Sequence, residues 1–113
     1  MDKPNVIVEL TFKFALDIIE FTEELESKRK FNIANQLFRC GTSIGANVRE
    51  AQGVESKIDF IHKCKIACKE AEETEYWLLL CQFSKNYPFE EVLLLAVENI
   101  KRILGKIIST SKK

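Results

Sequence analysis

Phe60, Cys64, Ala67, Ala71, Thr74, Leu78 and Cys81 follow one another along the chain by alternating steps of four and three residues. That period fits the 3.6-residue turn of an α-helix and excludes the two-residue repeat of a strand. It draws one continuous line of small and apolar side chains along a helix face, the seam that docks as knobs into the holes of neighbouring helices. A helix patterned this way takes most of its stability from packing, so the rest of the chain must supply its partners.

Three further stripes do so. Ile7, Leu10, Phe14, Ile18, Phe21 and Leu25 mark a first helix over about Asn5 to Ser27. After the basic break Lys28-Arg29-Lys30, a second stripe of Ile33, Leu37, Cys40, Ile44, Val48 and Ala51 runs to Gly53, which reads as a C-terminal stop. Ser56-Lys57-Ile58-Asp59 has the pattern of a capping box and opens the seam helix, which extends to about Lys85. Asn86-Tyr87-Pro88 then turns the chain, with Pro88 suited to a first helical position, and Phe89, Leu93, Ala96, Ile100, Ile103 and Ile107 carry a fourth helix. Only four glycines and two prolines occur, too few for the turns of an all-β fold. The expected architecture is all-α, an antiparallel up-down-up-down four-helix bundle forming one domain over residues 1–113.

The longest strictly apolar runs, Tyr76 to Cys81 and Val92 to Val97, fall far short of the roughly 18 residues of a membrane span. Met1 to Asn5 does not open an export signal, which predicts a cytoplasmic protein. Those same two runs put large apolar groups around the whole circumference of helices three and four. One small bundle cannot cover them all, so the chain is expected to self-associate.

The chemistry-bearing residues give no catalytic or metal constellation and call for no cofactor. A di-iron bundle needs two Glu-x-x-His motifs, and His62 is the single histidine. Cys40, Cys64, Cys68 and Cys81 lie within helical apolar patterns and read as reduced core residues. Gly41-Thr42-Ser43-Ile44-Gly45 lacks both the preceding strand and the Gly-Lys ending of a phosphate loop, so its small residues serve a close helix approach. Beside it Gln36, Arg39, Ser43, Asn47 and Glu50 form a polar stripe, either solvated or hydrogen-bonded between subunits.

Net charge is zero, yet it is segregated. Residues 1–27 carry two basic and seven acidic side chains, residues 28–69 nine and three, and residues 70–113 six and seven. The basic middle is either a phosphate-binding surface or an internal partner for Asp17, Glu20, Glu23 and Glu24 of helix one. Candidate phosphate-binding residues are Arg39, Arg49, Lys57, Lys65 and Lys69. Candidate subunit-interface residues are Ser43, Asn47, Glu70, Tyr76, Trp77 and Leu80.

The stretch from Arg39-Cys40-Gly41-Thr42-Ser43-Ile44-Gly45-Ala46-Asn47-Val48-Arg49-Glu50-Ala51 through Asp59-Phe60-Ile61 to Lys69-Glu70-Ala71-Glu72-Glu73-Thr74-Glu75-Tyr76-Trp77-Leu78 resembles the bacterial four-helix-bundle family encoded within intervening sequences of 23S rRNA genes. Cys40 and Cys64 stand where that family suggests serine and leucine. The resemblance implies a ring, a homopentamer, similar to the accessory protein of diversity-generating retroelements, which binds nucleic acid and a reverse transcriptase. It carries over no catalytic residue. Some family members are called ribosomal proteins, a name that follows the gene's location. In the resemblance the polar positions Arg39, Ser43, Asn47, Glu70, Thr74 and Glu75 serve equally well to hold an assembly together. The expectation is a non-enzymatic homo-oligomeric bundle that binds RNA or DNA, with a scaffold recruiting only protein partners as the alternative.

Overall fold

The computed structural model describes residues 5–113, and the expectation about an export leader falls mostly on Met1 to Pro4, outside that range. Four helices follow in order: α1 Val6–Ser27, α2 Phe31–Ala51, α3 Lys57–Phe83 and α4 Glu91–Ser111. Their starts follow from local chemistry. The Asn5 side chain accepts the Val8 amide at 3.3 Å, and the Ser56 hydroxyl accepts the Asp59 amide at 3.0 Å, each satisfying a donor that a helix end leaves free. The end of α1 is closed by the Lys30 amide bonding back to the Leu25 carbonyl and the Arg29 amide to Glu26, both at 2.8 Å. This closure places Arg29 in the left-handed region, at φ 64°, where a glycine is the usual occupant. Gly53 does follow the end of α2 as expected, but no glycine among the described residues takes a positive φ, so the helix stops there without a left-handed cap.

α1 packs against α2 and α4, and α3 against α2 and α4, with no diagonal packing. The helices therefore stand at the corners of a square in chain order, and short loops make neighbours antiparallel. Phe14, Ile18, Leu25, Leu37, Ile44, Leu78, Ile100 and Leu104 fill the centre and are fully or almost fully buried. Three threonines join them at no polar cost, because the hydroxyls of Thr11, Thr22 and Thr74 donate to the carbonyls of Ile7, Ile19 and Glu70 on their own helices. The α3 seam is buried from Cys64 to Cys81 as its spacing requires, and only Phe60 at its start is partly exposed.

The fourth helix departs from expectation. Pro88 and Phe89 belong to the connection, and α4 begins only at Glu91. Its buried line is Leu93, Val97, Ile100 and Leu104, while Ala96 and Ile103 move to a flank. Leu93 and Ile100 belong to both lines, and after each the packing buries the residue four on, Val97 and Leu104, in place of the residue three on, Ala96 and Ile103. Phe89 still packs on the core, from the connection.

The small residues of α2 serve the close approach to α1. A Cβ at Gly41 would lie 2.9 Å from two side-chain carbons of the buried Ile18, and one at Gly45 would lie 3.2 Å from the Thr11 carbonyl oxygen. Cys40, Cys64 and Cys81 are buried and Cys68 is half-buried, all unpaired. Burial raises all four thiol pKa values, that of Cys81 to about 11.

Candidate nucleic-acid interface

The square arrangement divides the basic residues that the sequence singles out. Arg39 lies on the flank of α2 that faces α3, where its guanidinium pairs with Glu73 and sits 3.6 Å from Glu70. It also donates to Gln36 Oε1 at 3.1 Å. Lys63 pairs with Glu50 across the same seam at 2.7 Å, which makes the α2–α3 side a polar weld. Glu70 Oε1 is buried there without a hydrogen-bond partner among the described residues. Arg49 instead lies over the Phe12 ring of α1, at 5.7 Å from its centroid. Lys57 reaches the Lys113 carbonyl at 3.2 Å near the chain's end.

Lys65 and Lys69 differ from these. They are exposed, one turn apart on the outward side of α3, and neither forms an ion pair among the described residues. Glu72 follows on that side, so the positive stretch occupies the half of α3 nearer its amino end. None of Arg49, Lys57, Lys65 and Lys69 pairs with Asp17, Glu20, Glu23 or Glu24 among the described residues. Among the described residues α1 forms one ion pair, Lys13 with Asp17 at 2.9 Å, and Asp17, Glu20 and Glu24 line an open groove beside Glu90 on the α1–α4 side.

Of the interface candidates, Asn47 spends its amide on the Ser43 carbonyl at 2.9 Å, within the half-buried α2–α3 flank. Tyr76 is exposed, while Trp77 and Leu80 are partly buried. Two outer apolar faces emerge. On α1, Phe12, Leu16 and Ile19 repeat at four and three residues, turned away from the core stripe, and Phe38 joins them from α2. Phe12 is 55% and Leu16 50% exposed. On the opposite side of the square, Tyr76, Leu79 and Phe83 of α3 and Leu95 of α4 are exposed, Phe83 at 81%. The first face was not singled out from the sequence. Its signal was a second period-3.6 stripe on α1, rotated from the first.

Among the described residues no cluster of three or more histidine, cysteine or carboxylate side chains is placed to hold a metal ion. No helix of the described residues is long and apolar enough to cross a membrane.

These features define an antiparallel four-helix bundle whose side chains offer charge and apolar surface. Residues 3–108 match the 23S rRNA-intervening sequence protein family, and the chain belongs to that family. It is also similar to a crystal structure of a protein of unknown function from the S23 ribosomal protein family of Bacteroides thetaiotaomicron VPI-5482. The two share 39% identity over 90% of this chain and 97% of that one, with a TM-score of 0.83. No curated protein matches the chain.

Proposed function

We propose that the protein is a non-enzymatic homo-oligomer that binds RNA or DNA through phosphate contacts to the outward face of α3. The observation that carries this reading is the exposed pair Lys65 and Lys69, which form no ion pair among the described residues. Charge that is not neutralised within the subunit is available to a polyanion, which needs positive potential more than a particular geometry. Lys57 and Arg49, nearer the same end of the bundle, extend the field. Arg39 serves the α2–α3 weld instead.

The two apolar faces support self-association. They lie on opposite sides of one subunit, so the α1–α2 face of one copy can cover the α3–α4 face of the next in a head-to-tail contact that closes into a ring. Resemblance to the family suggests five subunits. Such a ring repeats Lys65 and Lys69 around its circumference, and repetition raises avidity without any new kind of contact. The first test is purification without nuclease. The reading expects nucleic acid to accompany the protein at low salt and to leave at high salt, and nucleic-acid-free protein under both conditions counts against it.

A further inference from the structure

We infer that the cleft between the first turns of α2 and the α3–α4 connection receives an unpaired nucleobase, an inference that rests on the nucleic-acid reading above. Asn32, Ile33, Asn35, Gln36, Trp77 and Tyr87 line this open cavity of about 420 Å³, within the size range of small-ligand sites. Half of the lining side chains are carboxamides and two are aromatic. An apolar partner would leave those amides unpaired, whereas a base offers a flat face for stacking and an edge of donors and acceptors.

The arrangement is held in place before any ligand arrives. The Trp77 indole N–H donates to Glu73 Oε2 at 3.1 Å, and Glu73 is anchored in turn by Arg39, so the ring is fixed on the α2–α3 weld. The Tyr76 ring supports it edge-on, 5.6 Å between centroids. Gln36 gives its oxygen to Arg39, which leaves its NH2 as a donor, and Asn32 and Asn35 make no side-chain hydrogen bond among the described residues.

The rim suits a phosphate. Lys30 Nζ lies 4.6 Å from the centroid of Tyr87, and Lys30 is also the residue that precedes α2, which has no side-chain cap. The first turn of α2, with its uncapped amides and the positive end of the helix dipole, thus lies beside Lys30 at this end of the cleft. Trp77 lies eight residues beyond Lys69 on α3, or about 12 Å along the axis. A single strand crossing the lysines on the outward side of α3 has only a few nucleotides to span before a base reaches the indole.

Trp77 is the protein's one tryptophan, so its emission reports on the cleft directly. The experiment titrates the full chain with a short single-stranded oligonucleotide and with an abasic phosphodiester of equal length, following fluorescence and a gel shift together. The expected result is saturable quenching by the base-bearing strand alone, with at least about fivefold tighter binding than the abasic one. Tyr87→Ala should weaken the base-bearing strand by about fivefold or more and leave the abasic one unchanged, and Trp77→Phe, which keeps a stacking ring, should retain affinity. Equal affinity for both probes with unchanged emission overturns the inference and leaves phosphate binding standing. Binding of neither probe overturns both.

Discussion

If opposite apolar faces join the subunits, Leu16→Glu should dissolve the assembly and spare the fold. Leu16 is 50% exposed in the middle of the Phe12–Ile19 stripe. Full burial of a leucine is worth about 1.5–3 kcal/mol, so covering its exposed half contributes about 1 kcal/mol to each contact. A carboxylate buried there without a partner adds a cost of at least about 2 kcal/mol. Together these weaken each contact by about 3 kcal/mol or more, over a hundredfold in affinity. Within the subunit the position is on the surface and glutamate is a good helix former, so the fold should change by no more than about 0.5 kcal/mol.

Light scattering at micromolar concentration, run beside a thermal melt, separates the two effects. Phe83→Glu on the opposite face should dissolve the assembly in the same way. A head-to-tail contact makes a sharper forecast for the two variants mixed. Each spoils a different face, so one intact pair remains, and two 13.0 kDa chains should form a 1:1 heterodimer. A parent that is monomeric, or a Leu16→Glu variant of unchanged mass, refutes the reasoning. Two variants that remain monomers when mixed refute the head-to-tail geometry.

Gly41→Ala should destabilise the protein by about 1–2 kcal/mol in urea unfolding, because the new carbon meets Ile18 in the closed core at 2.9 Å and overpacking outweighs the gain in helix propensity. Gly105→Ala, whose added carbon meets nothing within 4 Å, should stabilise by about 0.5–1 kcal/mol in the same assay. Stability should also fall as pH rises from about 9 to 11, since burial raises the Cys81 thiol from 9.0 to about 11 and the unfolded chain loses this proton first. Below pH 9 the thiol is protonated in both states and that contribution is fully present. Urea midpoints at pH 8 and pH 10.5 check this, and Cys81→Ala should reduce the difference between them.

The α3 seam was legible because its alternating steps admit one helical register, and so was a close helix approach to α2, because Gly41 and Gly45 sit on one helix face, though not that the partner is α1. The register of α4 was not. Pro88 and Phe89 imitate a helix start, and only packing shows that Val97 and Leu104 point inward. Arg39 read as one more phosphate-binding cation, because its partners Glu70 and Glu73 come within reach only when α2 and α3 pair as a hairpin. The face of Phe12, Leu16, Ile19 and Phe38 does have a signal, a second stripe on α1, but that stripe runs beside the longer core stripe of the same helix, and Phe38 joins it only once α1 and α2 pair. The cleft around Trp77 is assembled from α2, α3 and the following connection, which no local pattern brings together.

The most direct measurement is a gel-shift titration of the parent and of a Lys65→Gln, Lys69→Gln double variant at 50 mM and 200 mM salt. Two lysines per subunit over three neighbouring subunits make about six phosphate contacts, so the parent should lose about a thousandfold in affinity between the two salts. The double variant should bind more weakly to every sequence tested and with a shallower salt slope, while light scattering gives the parent's subunit number. An undetectable shift by the parent, equal affinity at both salts, or a double variant that binds as the parent does would contradict the proposed role of α3.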